Sequence, residues 1–361
     1  MEGLTKQQPW ILLLLGALFF IPFLGGVHLF DWDEINFATI AQEMVLTGDY
    51  LQVKVGGHPF WEKPPLFFWL QAISFTVFGI NEFAARLPNA ITGIVTLLLL
   101  YYLGKRLQDA RFGWWWALVY LGSILPHLYF RSGIIDPLFN LFMFLGLAFL
   151  FLAPRSDKSN LFGILSGIVV GLAVLTKGPV AVLLIGLTWL IAQIFFERSK
   201  RTQWSTLLLA IGSGLLTLGL WFGAEIMAHG SWFVEEFLRY QVRLLSTEDA
   251  GHGGFPGYHI VVLLFGCFPA SWLLFKGWRK GIGHNDTTGD FQNWMKILLA
   301  VVVIIFSVVQ SKIVHYSSLA YFPITFLAAY WITSVKKDKS FSGLAKWGLI
   351  STWIILLFVC I

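Results

Sequence analysis

The sequence predicts an all-α protein that crosses a membrane many times, a polytopic transmembrane helical bundle. Of its 361 residues, 57% are apolar and only 12% are charged, whereas a soluble domain carries about 25% charged residues. Apolar runs long enough to cross roughly 30 Å of hydrocarbon occur about eleven times. They lie near 10–29, 87–104, 113–130, 134–153, 161–176, 179–196, 205–228, 258–276, 295–311, 316–334 and 345–361. We therefore expect one transmembrane domain over residues 1–361.

The first and last apolar runs bear on where the chain starts and stops. Phe30 and Asp31 follow the first run without a small-x-small cleavage site, so we expect an uncleaved first span. The last run is still strongly apolar at Ile361. Two interpretations stay open there: the protein stops inside its final span, or the carboxy-terminal part of a longer protein is missing.

The distribution of charge predicts the orientation of these helices. With the amino terminus inside, most of the 25 lysines and arginines fall on the inner side, as the positive-inside rule requires. Most of the carboxylates fall on the outer side instead. The net charge of +5 therefore reflects membrane topology, and we expect a lipid bilayer and no nucleic acid among the partners.

Two segments on the expected outer side are longer than simple connectors, the first outer loop, 30–86, and the second, 229–257. In the first, apolar residues at near-helical spacing follow Asp33, which could cap a helix. The spacing predicts an amphipathic helix over 35–46, lying on the outer membrane surface. Its apolar face would consist of Ile35, Ala38, Ile40, Ala41, Met44 and Val45.

Glycines and prolines divide the rest of these loops. Gly48 and Asp49 should end the helix 35–46, the pair Gly56-Gly57 predicts a turn, and Pro64-Pro65 opens a helix through PLFFWLQAISFTVFG. The second outer loop ends in the Gly- and His-rich stretch AGHGGFPGYH. We expect this loop to be mobile without a ligand.

The first candidate site is the carboxylate pair Asp33-Glu34 at the outer end of the first span. Charges so close to a bilayer are expensive and usually serve chemistry. Adjacent carboxylates can divide labour, one accepting a proton while its neighbour binds a second group or a cation. A helix cap in a solvated loop is the alternative interpretation.

A second candidate is FWEKPP, which contains Glu62 and Lys63. A lysine held by paired prolines near the headgroups suits a phosphate, because a fixed ammonium stabilises the charge of a leaving group. The alternative is a lysine that snorkels to the interface beside a helix start.

Three further motifs are expected on the same face. In RSGIIDP, Arg131 could bind a phosphate and Asp136 a sugar hydroxyl, an amine or a metal, although a simple turn before a helix would explain the motif equally well. Cations and polar rings in LTKGP and SKIVHY complete the set of phosphate-binding and substrate-binding candidates, although each is weak alone; they are Lys177, Lys312, His315 and Tyr316.

A metal site is a further possibility. His252 and His259 could ligate a divalent ion with Glu62 or Asp136, because carboxylate and imidazole suit zinc. No HExxH or paired-cysteine pattern supports it. We therefore expect that no cofactor is required, keep a divalent metal as the alternative, and leave its ligands unknown.

Two blocks of this sequence resemble a known family. The stretch DEINFATIAQEMVLTGDY, followed by FWEKPPLFFWLQAISFTVFGINEFAARLPNA, resembles the signature of the ArnT-like and protein O-mannosyltransferase-related membrane glycosyltransferases, which are family 39 and its relatives and have the GT-C fold. Members typically show DE-x-x-[YF], a [YF]-x-EKPP block and an [NE]-F-x-[AV]-R-L-P block in that order. The motifs RSGIIDP, LTKGP and SKIVHY match more loosely.

The resemblance implies a transferase that moves a sugar from a polyprenyl-phosphate donor to a lipid or protein acceptor, on the periplasmic or lumenal face of the cell's inner (plasma) membrane. By position, Asp33 resembles the catalytic carboxylate and Glu34 its neighbour. Lys63 resembles a donor-phosphate contact, Glu62 a polar or metal contact, and Asp136 an acidic residue near the sugar.

Departures from the family pattern and rival functions leave several points open. Asn36 stands where lipid A-modifying relatives often have arginine, and members are commonly longer, so sugar and acceptor stay undecided. A transporter or flippase of lipid-linked sugars is the main alternative, but it would place ionisable residues near the bilayer midplane. A non-catalytic partner of a glycan machine would leave the carboxylates dispensable.

Overall fold

The computed structural model describes residues 2–30, 32–195, 201–246, 253–278, 286–334, 346–347, 350–351 and 354. This part of the chain is mainly helical, which confirms the predicted all-α class. The α-helices are α1 (Glu2–Phe20), α2 (Trp32–Thr47), α3 (Leu66–Phe78), α4 (Glu82–Leu107), α5 (Ala110–Leu121), α6 (Ile124–Tyr129), α7 (Asp136–Leu152), α8 (Ser159–Thr176), α9 (Val180–Phe195), α10 (Trp204–His229), α11 (Trp232–Ser246), α12 (Tyr258–Gly266), α13 (Ala270–Gly277), α14 (Asp286–Val308) and α15 (Tyr321–Ser334).

Several of these helices are long and apolar enough to cross a membrane. By length and composition there are five among the described residues, or six if α12 and α13, which meet at 104°, count as one bent span. The five are Glu82–Leu107, Asp136–Arg155, Ser159–Thr176, Trp204–His229 and Thr287–Val308. The predicted span 113–130 is divided between α5 and α6, and the predicted span 345–361 lies almost wholly outside the described residues.

The first outer loop follows the predicted plan closely. Helix α2 covers the predicted 35–46, and the chain leaves it at Gly48, whose φ of +73° favours glycine. A two-stranded hairpin, β1 (Lys54–Val55) and β2 (His58–Pro59), turns at Gly56 and Gly57, both at positive φ. Pro65 directly precedes α3.

One detail of α2 differs from the prediction. Ile35 is 46% exposed, whereas Phe37 is 1% exposed and takes the inward position. The rings of Phe37 and Phe68 are 5.3 Å apart, so α2 packs on α3. The reason is Glu34, whose buried ion pair fixes which face of the helix turns inward.

Helices α8 and α10 pack unusually closely. Gly163, Gly167 and Gly171 of α8 face α10, and a Cβ placed on Gly167 would lie 2.0 Å from the carbonyl oxygen of Ala210. Across this contact Ser213 Oγ donates to the carbonyl of Ile164 at 3.0 Å. Small residues and hydroxyls of this kind are what allow membrane helices to approach each other.

The second outer loop contains a helix that the sequence analysis did not predict. Helix α11 buries Phe233 and Phe237 against the outer end of α10, where the rings of Trp221 and Phe233 are 5.1 Å apart. Part of the Gly- and His-rich stretch, 250–252, lies outside the described residues. The mobility of this loop without a ligand stays a prediction.

Candidate active site

A cavity of about 920 Å³ collects most of the predicted site residues. One wall is apolar and comes from α9 and α14, with Val180, Leu183, Ile305 and Phe306 among its residues. The predicted site residues in the lining come from five separate stretches of sequence: Asp33, Glu62, Lys63, Asp136, Lys177, Lys312, His315 and Tyr316. The structure therefore brings together residues that lie up to 283 positions apart, as 33 and 316 do.

Asp136 and Lys177 form the innermost ion pair of this cavity. Asp136 opens α7 directly before a proline, and Lys177 ends α8, so two helix termini place their charges face to face. The ammonium nitrogen of Lys177 lies 2.6 Å from Oδ1 of Asp136 and 4.9 Å from the ring centroid of Tyr316. Asp136 is only 2% exposed, so this pair is held largely away from water.

Asp33 faces the same point from the other side. Its Oδ2 lies 3.7 Å from Nε2 of His315, and that nitrogen is also 3.7 Å from Oδ2 of Asp136. His315 belongs to a 3-10 helix, Val314–Ala320, that leads into α15. The two predicted carboxylates, Asp33 and Asp136, are thus near neighbours of one imidazole.

Lys63 enters the cavity beneath α11. Its ammonium lies 4.9 Å from the ring centroid of Tyr240, a cation-π contact. Burial lowers the pKa of Lys63, while the carboxylates of Glu62 and Asp33 act in the opposite direction. Lys63 is half-buried, and a partly desolvated amine interacts more strongly with an anion than an exposed lysine does.

The sequence analysis assigned no site residue to α11, yet Leu238, Tyr240 and Gln241 line the cavity. The signal in the sequence was the amphipathic spacing of apolar residues across 232–246. That pattern predicts a helix with one buried face but does not say what the face covers.

Glu34 does not line the cavity, which corrects its expected catalytic place. It is fully buried and accepts from Arg86 Nε at 2.7 Å and Nη2 at 2.8 Å, and from the backbone N–H groups of Gly133 at 2.6 Å and Phe30 at 3.3 Å. Consecutive residues of a helix point about 100° apart, so Asp33 faces the cavity while Glu34 faces the protein interior.

Arg86 is a buried ion-pair partner of Glu34 that the sequence analysis did not single out. Besides Glu34, it donates to the carbonyls of Leu24 at 2.6 Å, Val27 at 2.8 Å and His28 at 3.0 Å. It therefore connects the chain after α1 to the start of α2. The available signal was a charge inside an apolar helix, in the block NEFAARLPNA.

Arg131 and Lys312 also differ from their predicted phosphate-binding roles. Arg131 lies outside the cavity lining and donates to the carbonyls of Pro22 at 2.7 Å and Phe19 at 3.4 Å. Lys312 borders the cavity, but its ammonium donates to the carbonyls of Phe306 and Ser307, both at 2.9 Å, and of Val309. Both cations satisfy carbonyls that a helix end leaves without partners.

The structure gives limited information about metal binding. Among the described residues, no group of three or more His, Cys, Asp and Glu side chains is placed to hold a metal ion. His259 is buried, with Nδ1 3.1 Å from Ser317 Oγ, and His252 lies outside the described residues. A divalent metal involving both histidines stays a prediction.

Known structures share this architecture. The crystal structure of ArnT from Cupriavidus metallidurans bound to undecaprenyl phosphate matches with a TM-score of 0.81 at 19% identity, over 98% of this chain and 64% of that one. An oligosaccharyltransferase from Archaeoglobus fulgidus matches with a TM-score of 0.54 at 12% identity, over 98% and 54%. At such identities the likeness shows the fold, which is the GT-C fold.

Sequence similarity points to the same group of proteins. Residues 62–221 match the family described as dolichyl-phosphate-mannose-protein mannosyltransferase. A curated relative from Pseudomonas paraeruginosa, named undecaprenyl phosphate-alpha-4-amino-4-deoxy-L-arabinose arabinosyl transferase, is 28% identical over 98% of this chain and 65% of its own length. A Pseudomonas aeruginosa protein of the same name is 31% identical over 77% and 51%.

This chain spans less than two thirds of the length of either relative. Within that part, the helical architecture agrees with that of the ArnT crystal structure. The chain is therefore an integral membrane protein with the GT-C fold, and its sequence is similar to the ArnT-like, protein O-mannosyltransferase-related glycosyltransferases.

Proposed function

We propose that this chain transfers a sugar from a polyprenyl-phosphate donor to a lipid or protein acceptor, on the periplasmic face of the inner (plasma) membrane. The observation that carries the proposal is the cavity itself, which combines three carboxylates and three lysines with an apolar wall. A molecule with a charged headgroup and a hydrocarbon chain would match the charged side chains and the apolar wall, respectively. The relative crystallised with undecaprenyl phosphate supports this choice of donor.

The donor would bind with its isoprenoid chain along α9 and α14 and its phosphate near Lys63. Lys177 is less suited to the phosphate, because it is already bound to Asp136 at 2.6 Å. Lys312 is directed at carbonyl groups instead. Among the predicted phosphate ligands, Lys63 is therefore the one that we place on the donor.

The chemistry would be a direct displacement at the anomeric carbon. The acceptor's O–H or N–H loses its proton to Asp33 while the acceptor atom forms a bond to that carbon. The bond from carbon to the phosphate oxygen breaks, and its electron pair leaves on the phosphate. Cations near the departing phosphate stabilise its growing charge, so the protein needs no general acid for this step.

A transporter or flippase of lipid-linked sugars is the second candidate. It would move the same donor without breaking the bond between sugar and phosphate. The placement of Asp33 within 3.7 Å of a histidine that also faces Asp136 favours bond-making chemistry, because passage of a lipid does not need a base. The arabinosyl transferase names of the relatives favour it as well.

The decisive experiment has two stages. Mass spectrometry of lipids and glycans from a strain that lacks the protein identifies the donor and the acceptor together. The purified full chain in proteoliposomes is then given that polyprenyl-phosphate sugar, and transfer is measured. We expect Asp33→Asn to lower turnover by about 10²–10⁴-fold, the range for loss of a general base, and Lys63→Ala to raise the donor KM strongly.

Matched controls come from the same outer loop. Glu43→Gln and Lys54→Ala change charges that lie outside the cavity lining, where Lys54 pairs with Asp49 at 2.9 Å, and both should keep normal turnover. Near-normal turnover of Asp33→Asn would show that the proposed base is wrong. Movement of intact donor across the membrane without any product would favour the flippase.

A further inference from the structure

His315 lies between the carboxylates of Asp33 and Asp136 in the cavity. Its Nε2 lies 3.7 Å from Oδ2 of Asp33 and 3.7 Å from Oδ2 of Asp136. Asp33 comes from α2, Asp136 begins α7, and His315 lies on the 3-10 helix before α15. One ring nitrogen is therefore at ion-pair distance from acids that two separate helices supply.

The two carboxylates differ in what else they contact. Oδ1 of Asp136 accepts a hydrogen bond from Lys177. Its buried Oδ2, the oxygen at 3.7 Å from His315, has no hydrogen-bond partner in the part of the chain that is described. A buried acceptor without a partner is costly, so a donor at His315 Nε2 is favourable there. Asp33 keeps 25% of its side-chain surface exposed and borders the cavity.

The surroundings of His315 limit its movement. The residue is 9% exposed, and its backbone carbonyl accepts a hydrogen bond from the Ser318 hydroxyl. Two residues further on, Ser317 Oγ lies 3.1 Å from Nδ1 of His259. These contacts hold the backbone that directly follows His315.

We infer that His315 is a positioning residue of the transfer reaction, holding the carboxylate of Asp33 at a fixed place relative to Asp136. The inference rests on the proposed function. The contact of Nε2 with Oδ2 of Asp33, at 3.7 Å, leaves Oδ1 of that carboxylate for the acceptor's O–H or N–H. His315 itself gains and loses no proton in this step.

The position of the base determines how much His315 affects the rate. Proton abstraction needs the base within hydrogen-bond reach of the acceptor, and a misplacement of about 1 Å can cost about 10²-fold in rate. Helix α2 begins in the first outer loop, and a contact to the side chain of Asp33 restricts the rotamers open to it. His315 supplies that contact from the opposite side of the cavity.

The kinetic test compares His315→Leu with His315→Gln in the full chain. A glutamine can place an N–H donor near the position of Nε2, whereas leucine fills space without one. We expect His315→Leu to lower kcat by about 10–100-fold with the donor KM nearly unchanged, and His315→Gln to recover most of that loss. His229→Gln, at a histidine outside the cavity lining that pairs with Glu225, is the control and should behave as wild type.

Two kinetic outcomes would overturn the inference. Equal losses of kcat in His315→Leu and His315→Gln would mean that the residue only fills space. A raised donor KM with unchanged kcat would mean that His315 contacts the substrate instead.

A second measurement does not depend on transfer. Thermal unfolding midpoints of His315→Leu, Asp33→Asn and the double variant form a cycle, and contacting residues give non-additive changes. We expect the double variant to lose less than the sum of the single losses. An additive cycle with an active wild type would overturn the inference alone, whereas a wild type without any transfer would overturn the proposed function and this inference together.

Discussion

Replacing Glu34 with glutamine tests the buried network behind the cavity. Each oxygen of Glu34 accepts from two donors, Oε1 from Arg86 and Gly133, and Oε2 from Arg86 and Phe30. Glutamine has the same shape, but its amide NH₂ must face donors whichever way it turns. The variant therefore leaves a buried guanidinium without its counter-charge.

The size of the loss follows from the burial of both partners. Glu34 is fully buried and Arg86 is 2% exposed, and removing one partner of a buried pair costs about 3–5 kcal/mol. With about 2 °C for each kcal/mol in a large domain, we expect the unfolding midpoint to fall by about 6–10 °C. Turnover should fall as well, because Asp33 is the neighbouring residue.

The assay is thermal unfolding of the detergent-purified chain, followed by transfer at a temperature where the variant stays folded. Glu82→Gln is the matched control, since Glu82 lies one helical turn before Arg86 and pairs with the exposed His28 at 2.9 Å. Its unfolding midpoint should not change. If Glu34→Gln unfolded at the wild-type temperature, or if both variants lost equally, the network would not hold this region together.

Three further predictions concern helix packing, a helix end and pH. Gly167→Val should destabilise by about 1–3 kcal/mol or more, because its Cβ meets a carbonyl of α10, while Gly212→Ala on the open face of α10 should be neutral or slightly stabilising in the same unfolding assay. Lys312→Met should lower the unfolding midpoint with little change in donor KM, since the ammonium bonds to carbonyls; a large rise in KM would restore Lys312 to the phosphate site. Burial lowers the pKa of Lys63 below 10.5, and only the ammonium attracts phosphate, so phosphate-donor affinity should weaken as pH rises through that lowered pKa. Lys63→Arg should keep its affinity to higher pH, and identical pH profiles for the two proteins would contradict this reasoning.

Much of the architecture could be predicted because membrane helices follow simple rules. Apolar run length predicts where helices lie, and the turn residues around Gly48, Gly56 and Pro65 end or begin elements as expected. The division between α5 and α6 was not predictable from hydropathy, because residues 113–130 are apolar on both sides of the break. The same holds for the exposed position of Ile35, which depends on an ion pair distant in sequence.

The sequence predicted which residues lie in the candidate site better than it predicted what each of them contacts. Asp33, Lys63, Asp136 and Lys177 could be selected because charge near hydrocarbon is rarely tolerated without a use. What each charge faces is a three-dimensional property. Lys312 and Lys177 look alike in sequence, yet one bonds to the carbonyls at the end of α14 and the other pairs with Asp136.

The order of the site residues along the chain has a consequence for synthesis. Asp33, Lys63, Asp136 and Lys177 all precede α9, whereas His315 follows α14. During translation, the two aspartates and Lys63, the proposed phosphate ligand, would therefore leave the ribosome long before His315 does. A nascent chain arrested after α13 would carry Asp33, Lys63, Asp136 and Lys177 and still lack both His315 and α14, which supplies part of the apolar wall. The proposed reaction centre is therefore complete only after α14 and the 3-10 helix that carries His315 have been synthesised.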